Sequence, residues 1–106
     1  MIDKNRYVVG ANQEISFQLY DLSVYLIGTL MAQVNSRSLA VVFGGNSNQI
    51  NVGQKATVTQ LVPASGVTYS VSEETGKFNQ ITVKNNSAYN IVVLLVDLSG
   101  RNFVRL

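Results

Sequence analysis

Residues 81–96 read ITVKNNSAYNIVVLLV. Ile81 and Val83 alternate with Thr82 and Lys84, and at a side-chain period of two this gives one apolar and one polar strand face. Asn85, Asn86 and Ser87 then spell a turn, because their short polar side chains bond nearby main-chain groups and Asn tolerates left-handed backbone. Tyr89 to Val96 follows as a second strand, so the stretch predicts a hairpin, closed by Ser99 and Gly100 and trailed by Phe103 to Leu106.

Working outward, the same grammar repeats. Ile15, Phe17 and Leu19 oppose Ser16, Gln18 and Tyr20, with Tyr7 to Val9 as a short strand before them, ending at Gly10 and Asn12. Leu39 to Phe43 is apolar throughout and leaves through Gly44 to Asn48, a strong turn composition. Ile50 and Val52 alternate with Asn51; Ala56, Val58, Gln60 and Val62 oppose Thr57, Thr59 and Leu61 up to Pro63; Val67, Tyr69 and Val71 oppose Thr68, Ser70 and Ser72. Strands joined by turns at intervals of about 8 to 12 residues predict an all-β, antiparallel β-sandwich or jelly roll of roughly eight strands, in one domain over 1–106.

One segment supports two readings. In Leu22 to Val34, the residues Val24, Ile27, Met31 and Val34 fit helical spacing behind Asp21 as an N-cap, whereas Leu22, Val24 and Leu26 alternate. The β-rich flanks and the cost of a mid-helix Gly28, on the order of 1 kcal/mol, favour two strands broken near Gly28, with a short helix within 21–34 as the alternative.

Leu39 to Phe43 and Ile91 to Val96 break the alternation, being apolar on both faces, whereas one face of an antiparallel sandwich strand ordinarily meets water. Exposing Val92, Leu94 and Val96 forfeits about 1.5 to 3 kcal/mol per side chain that burial would supply and leaves an adhesive patch. Cover comes either from Leu22 to Val34 folded over as a helix or from another subunit.

Composition narrows the chemistry. The 106 residues contain no His, Cys or Trp, so imidazole and thiolate catalysis, the usual zinc, copper and iron ligand sets and a disulfide framework are all absent. Neither a metal nor any other cofactor is expected. Eight Lys and Arg against six Asp and Glu give a net charge of +2, with the basic residues scattered except at the two ends, Lys4 with Arg6 and Arg101 with Arg105. Nucleic-acid binding is not expected from so dispersed a charge. Met1 to Arg6 lead into no signal-type apolar stretch, and the longest apolar run, Ile91 to Val96, is far short of the roughly 20 residues of a spanning helix; neither secretion nor a membrane span is expected.

The remaining motifs read as structure. Glu73 and Glu74 are adjacent, so on a strand they point to opposite faces and do not form a glycosidase-like pair; beside Lys77 they are expected in a solvated turn. Gly44 to Asn48 lacks the Lys and following helix of a phosphate loop, and the sequon Asn85-Asn86-Ser87 is expected to serve as a tight turn. Of the five tyrosines, Tyr20 and Tyr25 sit on polar faces of the alternation and are candidates for a partner contact, together with Val92, Leu94 and Val96.

Residues Phe78 to Val96 carry a pattern, Phe-x-x-Ile-x-Val-x-Asn, then a short Ser or Ala turn and a valine-rich strand. With Asn48, Val52, Gly53 and the Pro63 to Gly66 turn, this second half resembles small β-sandwich virion proteins of bacteriophages. The resemblance implies a non-enzymatic structural subunit (capsid, penton, decoration or spike-base) that contacts itself and other virion proteins, is assembled in the host cytoplasm, and takes no small-molecule substrate. The ends Met1 to Arg6 and Arg101 to Leu106 are candidate arms. Two other classes fit the same composition: a recognition module for a sugar or host protein, and a phage-encoded inhibitor of a host protein.

Overall fold

The computed structural model describes residues 5–46, 55–74, 76–100 and 102–106. The alternating runs become strands with their apolar residues on one side: Ile15, Phe17 and Leu19 are buried while Ser16 and Gln18 between them are not. The described strands are β1 (Arg6–Val9), β2 (Glu14–Leu19), β3 (Val24–Met31), β4 (Ser36–Phe43), β5 (Thr57–Val62), β6 (Val67–Val71), β7 (Gln80–Asn85), β8 (Ile91–Asp97) and β9 (Phe103–Arg105). They form two antiparallel sheets, one of five strands in the order β1-β8-β3-β4-β5 and one of four in the order β6-β7-β2-β9. The chain is a β-sandwich.

Between the sheets lie Val9, Ile15, Phe17, Leu19, Tyr25, Ile27, Val42, Ile81, Val83, Ile91, Val93 and Leu95, all buried. Phe17 is an aromatic hub: Tyr7 of β1 meets it edge-on at 5.2 Å and Phe103 of β9 at 5.7 Å. Such edge-to-face pairs add about 0.5 to 1.5 kcal/mol beyond area burial. Because β1 and β9 are edge strands of different sheets and both reach Phe17, the two ends of the described chain come together on one side. Burial raises the Tyr7 pKa above its ordinary value there, and the Arg105 charge partly offsets this. Lys4 and Arg101 lie outside the described residues.

Two expectations are corrected. Leu22 to Val34 is neither a helix nor two strands broken near Gly28: β3 runs unbroken from Val24 to Met31, followed by a single 3₁₀ turn, Ala32–Val34. Its pairing explains this, since every residue of β3 has a partner on β4 and six of them also pair with β8. As a central strand the segment bonds β4 on one side and β8 on the other; folded as a helix over the sheet it would bond only itself and leave the facing backbone groups of β4 and β8 unpaired. Asn35, in the left-handed region with φ 51° and ψ 42°, then turns the chain into β4.

Residues 81–96 are likewise not a hairpin. β7 pairs with β2 and β6, and β8 with β1 and β3, so the turn after Asn85 carries the chain from one sheet to the other. Asn85 is fully buried and holds that crossing: its Nδ2 donates to the carbonyls of Val9, Gly10 and Tyr89, at 3.2, 3.0 and 2.6 Å, and its Oδ1 accepts from the Ser87 amide and hydroxyl. The opposite end is tied by Asn79, whose Nδ2 donates to Asp21 at 2.5 Å and whose Oδ1 accepts from the Gly45 amide at 2.6 Å. Gly44 is needed there because a Cβ would run into the Tyr20 carbonyl and the Ser23 side chain.

Candidate interaction face

The two sheets present very different surfaces to the outside. On the four-stranded sheet the outward residues meet across the strands in rows: Glu14, Lys84 and Thr68; Ser16, Thr82 and Ser70; Gln18, Gln80 and Val104. Ser16 and Thr82 share a hydroxyl hydrogen bond of 2.7 Å. This is a face made for water, polar at nearly every position.

The five-stranded sheet is the reverse. Its buried residues on β3, Tyr25, Ile27, Thr29 and Met31, alternate with Val24, Leu26, Gly28 and Leu30, which face outward. Cross-strand register extends each of these into a row: Val8, Val92, Leu30 and Arg37; Arg6, Leu94, Gly28, Leu39 and Val62; Val96, Leu26, Val41 and Thr59; Val24, Phe43 and Thr57. Every outward position on the three central strands except Gly28 and Arg37 is a large apolar side chain. Leu94, Leu39 and Leu26 are half-buried, while Phe43 is 50% and Val8 60% exposed. Among the described residues the charged groups on this face are Arg6 and Arg37, both towards its margin.

Gly28 lies mid-strand on the central strand of the sheet, and its missing side chain leaves a dimple rimmed by Leu26 and Leu30 along the strand and by Leu39 and Leu94 across it. At the β5 margin the sheet opens: β5 shifts register opposite Leu39 and Ala40 and ends at Val62, so Ser36, Arg37 and Ser38 pair with β3 alone. A cleft of about 490 Å³ lies there, lined by residues Asn35 to Leu39 and Val62. A second, of about 450 Å³, lies nearby among Met31, Asn35, Ser36, Gly66 and Tyr89.

Beneath that corner is a buried polar group. The Thr29 and Ser38 hydroxyls bond each other, and Tyr69 of the opposite sheet brings its hydroxyl against them. Burial raises the Tyr69 pKa above its ordinary value, and the two hydroxyls partly offset this. Yet the Tyr69 oxygen closes no hydrogen bond of good geometry.

Of the contact candidates read from the sequence, Val92, Leu94 and Val96 fall together on the apolar face. Tyr25 does not: it points inward, is fully buried, accepts from the Tyr20 amide at 3.2 Å and donates to the Asn102 carbonyl. Tyr25 alternates with Leu22, Val24 and Leu26, and it is those apolar residues that face outward, which turns Tyr25 to the core. Tyr20 sits in the β2–β3 turn, 43% exposed, apart from the apolar rows. Leu39 and Val41, from the run already apolar on both faces, belong to the same face, and so do Val8 of β1 and Leu26 and Leu30, for which the signal in β3 was the same two-sided apolarity.

The acidic pair resolves into two ion pairs, Lys55 with Glu73 at 3.0 Å and Lys77 with Glu74 at 3.4 Å. Among the described residues no three Asp or Glu gather as a metal site, and no helix is long and apolar enough to cross a membrane. The sequon residue Asn85 is buried within its own turn. Gly44 to Asn46 form the exit from β4, and Ser47, Asn48 and the alternation at Ile50 and Val52 lie outside the described residues. No protein-family model matches the chain, and neither the curated proteins nor the solved structures contain a match.

Proposed function

We propose that the protein is a non-enzymatic structural subunit that assembles by burying the outer face of its five-stranded sheet against another chain. The observation that carries this reading is the contrast between its two outer surfaces. One sheet meets solvent with Ser, Thr, Gln, Glu and Lys, so the sequence has no difficulty in making a wet face; the other meets it with Leu, Val and Phe. A continuous apolar face on a small domain marks an interaction surface. The resemblance of Phe78 to Val96 to small phage virion proteins favours a virion, assembled in the host cytoplasm, as the place where that surface is used, with other virion proteins as further partners.

The mass of the purified chain in solution, followed by light scattering over a dilution series, tests the reading. A species heavier than one chain is expected at micromolar concentration, and Leu94→Lys, which places a charge at the centre of the face without entering the core, is expected to reduce it to a single chain that melts as the wild type does at a dilution where its copies are separate. A wild-type chain that stays monomeric at high concentration overturns the proposal. It would favour a recognition module, for which the clefts beside Asn35 and Ser36 are the place to look.

A further inference from the structure

We infer that the assembly contact is an isologous pair of two copies of this chain, packed sheet on sheet, with the Gly28 dimple of each receiving a leucine of the other. The inference rests on the assembly reading and specifies its partner and its geometry.

Glycine is a poor residue for a central strand. It brings no side chain to the sheet and costs roughly 0.5 to 1 kcal/mol against alanine through backbone entropy. A glycine held in such a place normally answers to a positive φ or a steric conflict, and Gly28 answers to neither. It lies within an extended strand, outside the positive-φ positions. A Cβ built on it would come no nearer than 3.8 Å to the Ser38 carbonyl oxygen and 4.0 Å to the Leu94 Cβ, ordinary van der Waals contact. Gly44 shows the contrast, since there a Cβ collides with the backbone of the neighbouring turn. The space that Gly28 keeps open is therefore on the outside of the sheet, and what uses it comes from outside.

Four leucines, Leu26, Leu30, Leu39 and Leu94, stand around that space. A face with one hole and knobs of one kind around it is complementary to a copy of itself, because a rim leucine from each copy seats in the hole of the other, as a two-fold contact requires. The extent also suits a pair. Five strands at about 4.8 Å spacing and some seven residues at about 3.4 Å rise make a face on the order of 600 Å². Two copies therefore bury about 1,200 Å², the lower end of the range for specific, stable interfaces. Charge does not oppose the pairing, since Arg6 is on the β1 edge and Arg37 at one end of β4, both reaching solvent at the rim.

The test fills the hole. Gly28→Ala and Gly28→Val are each compared with wild type for melting temperature by circular dichroism and for dissociation constant by sedimentation over a dilution series. The wild type is expected as a dimer. Both variants are expected to melt, as isolated chains, no lower than wild type, while pairing weakens about tenfold or more for Ala and on the order of a hundredfold or more for Val, as overfilling of a packed contact demands. A Gly28→Val chain that pairs as tightly as wild type overturns the inference and leaves the assembly reading standing, as does a wild-type trimer or pentamer. A variant that unfolds also overturns it, since the fold itself would then require the glycine. A monomeric wild type removes both.

Discussion

Tyr69 reaches across the sandwich to the Thr29 and Ser38 hydroxyls, which already bond each other, and its own oxygen is left without a partner of good geometry. Burying a hydroxyl unpaired costs stability, so Tyr69→Phe is expected to leave the chain as stable at neutral pH or to raise it by about 1 kcal/mol, measured by urea unfolding. The alkaline limb gives a second reading. Burial raises the folded-state pKa of Tyr69 above the ordinary 10.0, so above that pH the unfolded chain releases the proton while the folded chain retains it. Stability is then fully present below pH 10.0 and lost as pH rises through the folded pKa; the phenylalanine variant should lose less over that window. Other single residues were easier to find in the sequence than to interpret. Phe78, Ile81, Val83 and Asn85, which carry the virion-protein pattern, are all buried, three as core and one as the clamp of the sheet crossing. Their pattern is that of a strand tucked into a sandwich, and it speaks first for the fold.

Strands whose two faces differ in polarity were legible, and so were the short apolar runs that became β4 and β8; the longer apolar segment that became β3 was not. β2, β6 and β7 declare themselves by alternation because their outer residues meet water. β3 is apolar at nearly every position, so its sequence satisfies a period of 2 and a period of 3.6 together, and only its ladder to β4 and β8 decides between them. The supposed hairpin failed for a related reason: a polar turn between two strands states that the chain changes direction, not whether the strands then pair. For β8 the assignment of faces can be tested within one element. Val93 is fully buried and Val96 is 41% exposed. Val93→Thr puts a hydroxyl between the sheets and is expected to cost about 1 to 3 kcal/mol, whereas Val96→Thr is expected to stay within about 0.5 kcal/mol, both by denaturant unfolding at a dilution where the chains are separate. Equal losses would mean that the outer side of β8 is packed within its own chain.

At the scale of the whole molecule the sandwich has one polar and one apolar outer sheet face, and the proposed assembly turns on what covers the second. The absence of cysteine makes a direct measurement available, because a single introduced thiol takes a spin label at one place. Labels are placed in separate variants at Ser70→Cys, on the outer side of the polar sheet, and at Thr59→Cys, on the rim of the apolar face, and the distance between copies is read by pulsed dipolar spectroscopy. With the apolar faces together and sheets about 10 Å apart, the Ser70 labels are separated by the full depth of the pair, about 30 Å or more, and the Thr59 labels lie within about 25 Å of each other. Ser70 labels closer together than Thr59 labels, or no dipolar signal from either, would contradict the claim that this face joins one copy to the next.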